Sequence, residues 1–202
     1  GSFTDDIPSG VRHRRCLIWR DQACYGSTER IRVVHDSGRT GFCKTRLFDT
    51  PVIIIGNISV GGTGKTPFLV ALAKKLLAMG YRPGVVSGGY GGSVQGVHVV
   101  SEDDDAAVCG DEPLMIRQAT GLPVVVTSNR VAAVEQLLQK FTCDLVLSDD
   151  GLQHLRLGRS LEIVIVDAMR LFGNGYCLPA GPLRERVFWL QDSDLVGYHL
   201  TQ

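Results

Sequence analysis

The stretch from Gly56 through Asn57, Ile58, Ser59, Val60, Gly61, Gly62, Thr63, Gly64 and Lys65 to Thr66 has the residue types and spacing to hold a polyphosphate. Glycines let successive backbone N–H groups turn inward around an anion, and a following helix adds positive potential from its N-terminus. Lys65 can reach the outer phosphates, and the Thr66 hydroxyl can ligate Mg²⁺. The usual pattern has glycine where Ser59 stands. The context nevertheless fits: an apolar run, Pro51–Ile55, precedes the loop, and a helical pattern, Pro67–Met79, follows it. A glycine-rich turn in a Rossmann-like sheet is the plain alternative, and it leaves Lys65-Thr66 unexplained.

Four further sets of polar residues follow apolar runs, where open α/β sheets place their ligands. Asp149-Asp150 ends the run Asp144–Ser148 and could organise Mg²⁺, which prefers hard oxygen ligands; the alternative is a pair of turn acids before Gly151. Asp111, followed by Glu112, precedes a helical pattern. It could cap that helix or accept a proton as a general base, and because capping acids are common the residues alone favour the cap. Ser87–Gly92 is a glycine-rich loop with Tyr90 in it, placed to stack or hydrogen-bond near a ligand. Gln153-His154 and Arg184-Glu185 complete the set. His154 reads equally as a surface loop histidine, and Arg184 as a phosphate ligand or as a partner of Glu185 or Glu162.

The elements that must position these residues follow the order of an α/β chain. Val52–Ile55, Gly84–Ser87, Val97–Val100, Pro123–Thr127, Asp144–Ser148 and Glu162–Asp167 are short apolar runs. Such runs suit parallel strands covered on both faces. Thr66–Met79, Glu112–Thr120 and Arg130–Lys140 carry helical periodicity; Gly80 and Gly121 stop the first two. The alternation implies a doubly wound, mostly parallel sheet with helices on both faces. The acidic run Glu102–Asp105 reads as a solvated loop.

Composition narrows the function class. The chain has 202 residues, 44% hydrophobic, enough for a real core. Lys plus Arg and Asp plus Glu are both 21, a balance that gives no electrostatic argument for nucleic acid. No apolar run reaches the ~20 residues of a membrane span, and the amino end lacks the order of a signal peptide. The six cysteines show no CxxC pair or zinc spacing and are expected as free thiols, Cys143 in the core and Cys109 as filler. Residues 1–50 are basic and weakly periodic, with Ile31–Val34 a possible short strand. Arg12–Arg15 reads as a solvated face, with lipid headgroups the alternative.

Together the blocks PVIIIGNISVGGTGKTP, GYRPGVVSGGYGG, GDEPLMI, SNRVAA, DLVLSDDGLQHLRL and EIVIVDAMRLFGNGYCLPAGPLRE resemble the tetraacyldisaccharide 4′-kinases of Gram-negative bacteria over residues 51–186. The resemblance implies a P-loop NTPase-like kinase domain over 51–186, flanked by a divergent extension (1–50) and a divergent tail (187–202). It implies transfer of the γ-phosphoryl of ATP, with Mg²⁺, to the 4′-hydroxyl of a lipid disaccharide 1-phosphate, in the cytoplasm or on the inner face of the inner membrane.

By the same resemblance Gly61, Gly62, Thr63, Gly64, Lys65 and Thr66 cradle ATP, and Asp149, Asp150 and Thr66 organise the metal. Asp111 becomes the base. Tyr90, Glu112, Arg130, Gln153, His154, Arg184 and Glu185 line the cleft. The chain departs from the pattern at Gly88, where the family usually has arginine, and at Arg186, where it usually has proline. Family members also carry a second α/β domain with a histidine that supports the catalytic aspartate. A chain without that domain is expected to bind ATP even if it turns nothing over. The blocks from Asp144 to Glu185 argue against a different P-loop ligase or GTPase.

Overall fold

The computed structural model describes residues 45–200, together with the backbone of strands at 16–20 and 23–25. The strands are β1 (Cys16–Arg20), β2 (Ala23–Tyr25), β3 (Val52–Gly56), β4 (Pro83–Ser87), β5 (His98–Val99), β6 (Val124–Val126), β7 (Leu145–Asp149), β8 (Leu161–Asp167) and β9 (Leu195–Leu200). The helices are α1 (Lys65–Ala78), α2 (Ala106–Cys109), α3 (Asp111–Thr120) and α4 (Arg130–Lys140), with a 3-10 helix at Val187–Asp192.

One sheet contains all nine described strands in the order β2-β1-β9-β8-β3-β7-β4-β6-β5. The pairings from β1 through to β6 are parallel, and only the two edge pairings, β1 with β2 and β5 with β6, are antiparallel. The two faces bury alternate residues of each strand, as a period of two requires. Ile53, Ile55, Val85 and Leu147 face Phe68, Leu69 and Ile116 of α1 and α3. Val52, Ile54, Val86 and Val146 face Ala133, Val134 and Leu137 of α4. Helices thus cover both faces, and the expected doubly wound α/β architecture is present.

The boundary drawn at 186 does not coincide with the edge of the sheet. Residues 187–200, set apart as a tail, supply the 3-10 helix and β9, which lies between β8 and β1. Val196 and Tyr198 of β9 are core residues. Nor is 1–50 wholly separate, since β1 and β2 extend the sheet beyond β9. The short strand expected at Ile31–Val34 and the basic cluster Arg12–Arg15 lie outside the described residues. The acidic run is a loop tied into the fold at three points: Asp105 caps α2 through the Ala107 N–H, Asp104 bonds the His98 ring and accepts the Ser101 N–H, and Glu102 pairs with Arg117. Cys109 is fully buried as filler, Cys143 is half-buried, and with Cys177 both are free thiols.

Candidate functional site

The carboxyl ends of β3, β7, β4 and β6 converge on one edge of the sheet, and the loop that leaves β3 wraps the start of α1. Gly64 is the N-cap of α1 with φ of 79°, the left-handed region that glycine enters without strain. A Cβ there would also strike the His199 ring at the end of β9. That contact fixes the floor of the loop from the side of the sheet where no site residue was expected.

Lys65, the first residue of α1, is buried, yet its ammonium has two oxygen partners. It donates to Asn57 Oδ1 at 2.9 Å and to Asp150 Oδ1 at 2.8 Å. Asn57 is itself fully buried and donates to the Ser59 carbonyl, so it ties the loop to the lysine. Its position just after the strand was the available signal, and only its amide chemistry in place gives it a role. Thr66 and Thr63 are buried beside the lysine, and Thr63 Oγ1 has no hydrogen-bond partner.

The two adjacent aspartates behave differently. Asp149, the last residue of β7, is 1% exposed and accepts a hydrogen bond from Ser87 Oγ at 3.3 Å. Its other oxygen, Oδ1, is buried without a partner. Burial, reinforced by the charge of Glu112, pushes its pKa up to about 6 despite Lys65 and Arg130. Asp150 turns out of the strand with φ of 49°. Burial opposes its charge, but Lys65 and Arg184 outweigh that and hold its carboxyl below the usual carboxylate range. Arg184 lies 3.0 Å from Asp150 Oδ2. Neither partner weighed for Arg184 in the sequence is the one found: Glu162 pairs with Arg159, and Glu185 accepts from Gln153 Nε2 at 2.9 Å.

Arg130 opens α4 behind the capping Asn129, whose side chain accepts from the Ala132 N–H. The guanidinium is 5% exposed and donates to the carbonyls of Thr127 and Asp149 at 2.8 and 3.3 Å. Desolvation lowers its pKa, against the pull of Asp149 and Asp150. It fills the space beside Gly88: a Cβ on Gly88 would meet Arg130 Nη2 at 2.7 Å. Any side chain at Gly88 would therefore have to share its space with the Arg130 guanidinium. His154 is half-buried in the turn after β7, and its pKa falls through burial and the charge of Arg130.

Asp111 is the first residue of α3 and does not cap it. Gly110 is the N-cap, and no side chain satisfies that end. The capping role favoured from residue type thus falls away, because Gly110 with φ of 92° turns the chain one residue earlier. Asp111 and Glu112 are exposed at the helix start, beside the glycine-rich loop, whose Gly89 and Tyr90 backbone packs against Gly110. Tyr90 itself is 95% exposed.

Among the described residues no cluster of three His, Cys, Asp or Glu side chains forms a preassembled metal site. The donor set still fits a hard divalent cation: Asp149 presents a buried carboxylate oxygen that lacks a partner, and Thr66 offers a buried hydroxyl in the first turn of α1. Mg²⁺ commonly takes only one or two protein carboxylates, the rest coming from phosphates and water.

A family model described as tetraacyldisaccharide-1-P 4′-kinase matches residues 15–201. The tetraacyldisaccharide 4′-kinase of Hahella chejuensis is 55% identical over 72% of this chain and 44% of its own length. That of Alkalilimnicola ehrlichii is 51% identical over 91% of this chain and 56% of its own. The chain thus spans about half the length of the curated relatives it matches. Among solved structures, the "apo" form of LpxK from Aquifex aeolicus in complex with ATP superposes with a TM-score of 0.72 at 32% identity, covering 79% of this chain and 51% of that one. With a matched family model spanning both the phosphate loop and β9, this chain belongs to the tetraacyldisaccharide-1-P 4′-kinase family.

Proposed function

We propose that this chain forms the nucleotide-binding half of an ATP-dependent 4′-kinase acting on a tetraacyldisaccharide 1-phosphate in lipid A biosynthesis. The observation that carries the reading is the convergence at one sheet edge of a phosphate loop, two cations (Lys65 and Arg184) and a buried carboxylate oxygen with no partner (Asp149 Oδ1). Lys65 and Arg184 share the single carboxylate of Asp150, so either can be taken over by an incoming anion, while Asp149 Oδ1 is open to a cation; a metal–nucleotide complex brings both.

In this reading Gly61 to Gly64 enclose the phosphates with backbone N–H groups. Lys65 exchanges Asp150 for a phosphate oxygen, and Arg184 holds Asp150 in its absence. Thr66, Asp149 and Asp150 would hold Mg²⁺, which when bound neutralises charge on the β- and γ-phosphates. Asp111 accepts the proton of the 4′-hydroxyl as its oxygen bonds to the γ-phosphorus. The bond from that phosphorus to the β-bridging oxygen breaks, and ADP leaves with the electron pair. Tyr90, Glu112, Arg130, Gln153, His154 and Glu185 line the approach. Positioning and charge neutralisation carry most of the rate in such a transfer.

The acceptor is a lipid, so the cytoplasmic face of the inner membrane is the proposed place of action. Among the described residues no helix is long and apolar enough to cross a membrane. The test is transfer from labelled ATP–Mg²⁺ to a tetraacyl disaccharide 1-phosphate in detergent, with Asp111→Asn beside it. Transfer that disappears in the variant supports the reading. ATP binding without transfer reduces the chain to a nucleotide-binding unit, and absence of ATP binding overturns it.

A further inference from the structure

We propose that Arg170 is a phosphoryl-binding arginine of this site, supplied from the loop after β8 and directed at the outermost phosphate of the bound nucleotide. The inference rests on the nucleotide reading above and adds a residue to it.

Three observations lead there. Arg170 Nη1 lies 3.2 Å from where a Cβ would stand on Gly61, so the guanidinium hangs over the limb of the phosphate loop that rises from β3. Gly61 has φ of 95°, and a side chain there would be both strained and in the arginine's way. The Arg170 side chain is 69% exposed, and among the described residues it has one ion pair, Nε to Asp167 Oδ2 at 3.5 Å. At 3.5 Å, from an exposed guanidinium to a buried carboxylate that also accepts two backbone N–H groups, the contact is long, and the guanidinium can turn toward a closer anionic partner.

Asp167 acts as the hinge post. It is buried at the end of β8, and its Oδ1 accepts the backbone N–H groups of Met169 and Arg170 at 2.8 and 3.1 Å. Those bonds hold the turn whether or not the arginine stays, so Arg170 can leave without unpinning the loop. On the neighbouring strand the His199 carbonyl accepts from the Ala168 N–H at 2.8 Å, while its ring backs Gly64. The ends of β8 and β9 therefore brace the phosphate loop from one side and carry a cation over it, opposite the Asp150–Arg184 side.

In a nucleotide complex of this site the loop amides would enclose the inner phosphates, and Lys65 would reach between the outer two. A guanidinium above the rim is left with the γ-phosphoryl, where its fork can make two charge-assisted bonds. Arginines so placed stabilise charge on the group in flight, and some NTPases carry theirs in the same chain.

The test is calorimetric titration of the 202-residue chain with ATP–Mg²⁺ and, separately, ADP–Mg²⁺, for the unaltered protein, Arg170→Ala and Arg170→Lys. Arg170→Ala is expected to weaken ATP by at least about tenfold, the worth of a charge-assisted hydrogen bond, while ADP changes less than about twofold. Arg170→Lys should recover part of the ATP affinity. Melting temperatures should agree among the three, since the side chain is exposed. Equal weakening of ATP and ADP, or no change in either, overturns the inference and leaves the nucleotide site standing. An unaltered chain that binds neither nucleotide overturns the proposed function, and this inference with it.

Discussion

Strand β7 has an aspartate at each end, and the two live in opposite conditions. Asp144, just before the strand, is partly exposed and fully paired. It accepts the Arg82 backbone N–H at 2.9 Å and pairs with the guanidinium at 2.7 Å. Those bonds with Arg82 hold its carboxyl below the usual range. Asp149, at the other end, is buried with one oxygen unpartnered and its pKa pushed to about 6. The amino end of the strand has its charge answered within the chain. The carboxyl end has a charge left unanswered, and an isolated buried carboxylate persists only where something else is to neutralise it.

The sharpest way to break this contrast is Asp149→Asn. Mg²⁺-dependent ATP binding should fall by about 100-fold or more, since the substitution removes a buried charge partner of the cation. The ligand-free fold should become more stable by about 1–3 kcal/mol at pH 7.5, one unit of pKa shift being about 1.36 kcal/mol. Denaturant titration without nucleotide reads the second effect. A variant that loses both binding and stability would show Asp149 to be structural.

Lys65→Ala comes next. It removes the cation that bridges Asn57 and Asp150, and ATP affinity should drop about 10- to 100-fold, the range of a charge-assisted contact. Calorimetry checks it, and an affinity within a factor of two would remove the lysine from the site.

Acidity separates the two aspartates without mutation. Asp149 has a raised carboxyl pKa, so its contribution to the ligand-free fold is greatest below the unfolded value near 3.8 and is lost as pH rises through about 6. Asp144 has a lowered one; its contribution is present above that unfolded value and is lost as pH falls through the folded pKa. Affinity for ATP–Mg²⁺ should therefore rise between pH 5 and 7, as the proton on Asp149 gives way to the cation, and Asp149→Asn should flatten that rise.

The smallest effect belongs to Asp144→Asn. An exposed pair contributes little, so melting should shift slightly downward near neutral pH, and nucleotide affinity should stay the same. A change in ATP affinity here would undo the division of labour along β7.

Most of the sheet was legible because its strands are unbroken apolar runs between turn residues, as at Val52–Ile55 and Glu162–Asp167. β9 was not. Leu195–Leu200 is short, carries Gly197 and His199, and follows a 3-10 turn, so it has neither clean alternation nor an apolar run. It is a strand because β8 and β1 flank it, a tertiary cause that local pattern does not contain. Within the site, the phosphate loop and Asp149-Asp150 announce themselves by type and position. Asn57 and Asp167 do not, since each acts through a neighbour that only the folded chain brings close. Asp111 misled for a related reason: an acid before a helix looks like a cap until Gly110 is seen to turn the chain first.

The place of β9 has a consequence for the order in which the molecule is made. β1 pairs along its length with β9, Cys16 opposite Val196 through Arg20 opposite Leu200. The β1–β2 pair is thus synthesised long before β9 but has no seat in the sheet until β9 has docked on β8. During translation β1 must wait, and β8 must keep an open edge, until the ribosome has delivered residues 195–200. Pairings of such sequence separation close slowly and leave strand edges exposed meanwhile. The same step brings His199 against Gly64, so the phosphate loop gains its backing only once residues 195–200 have docked.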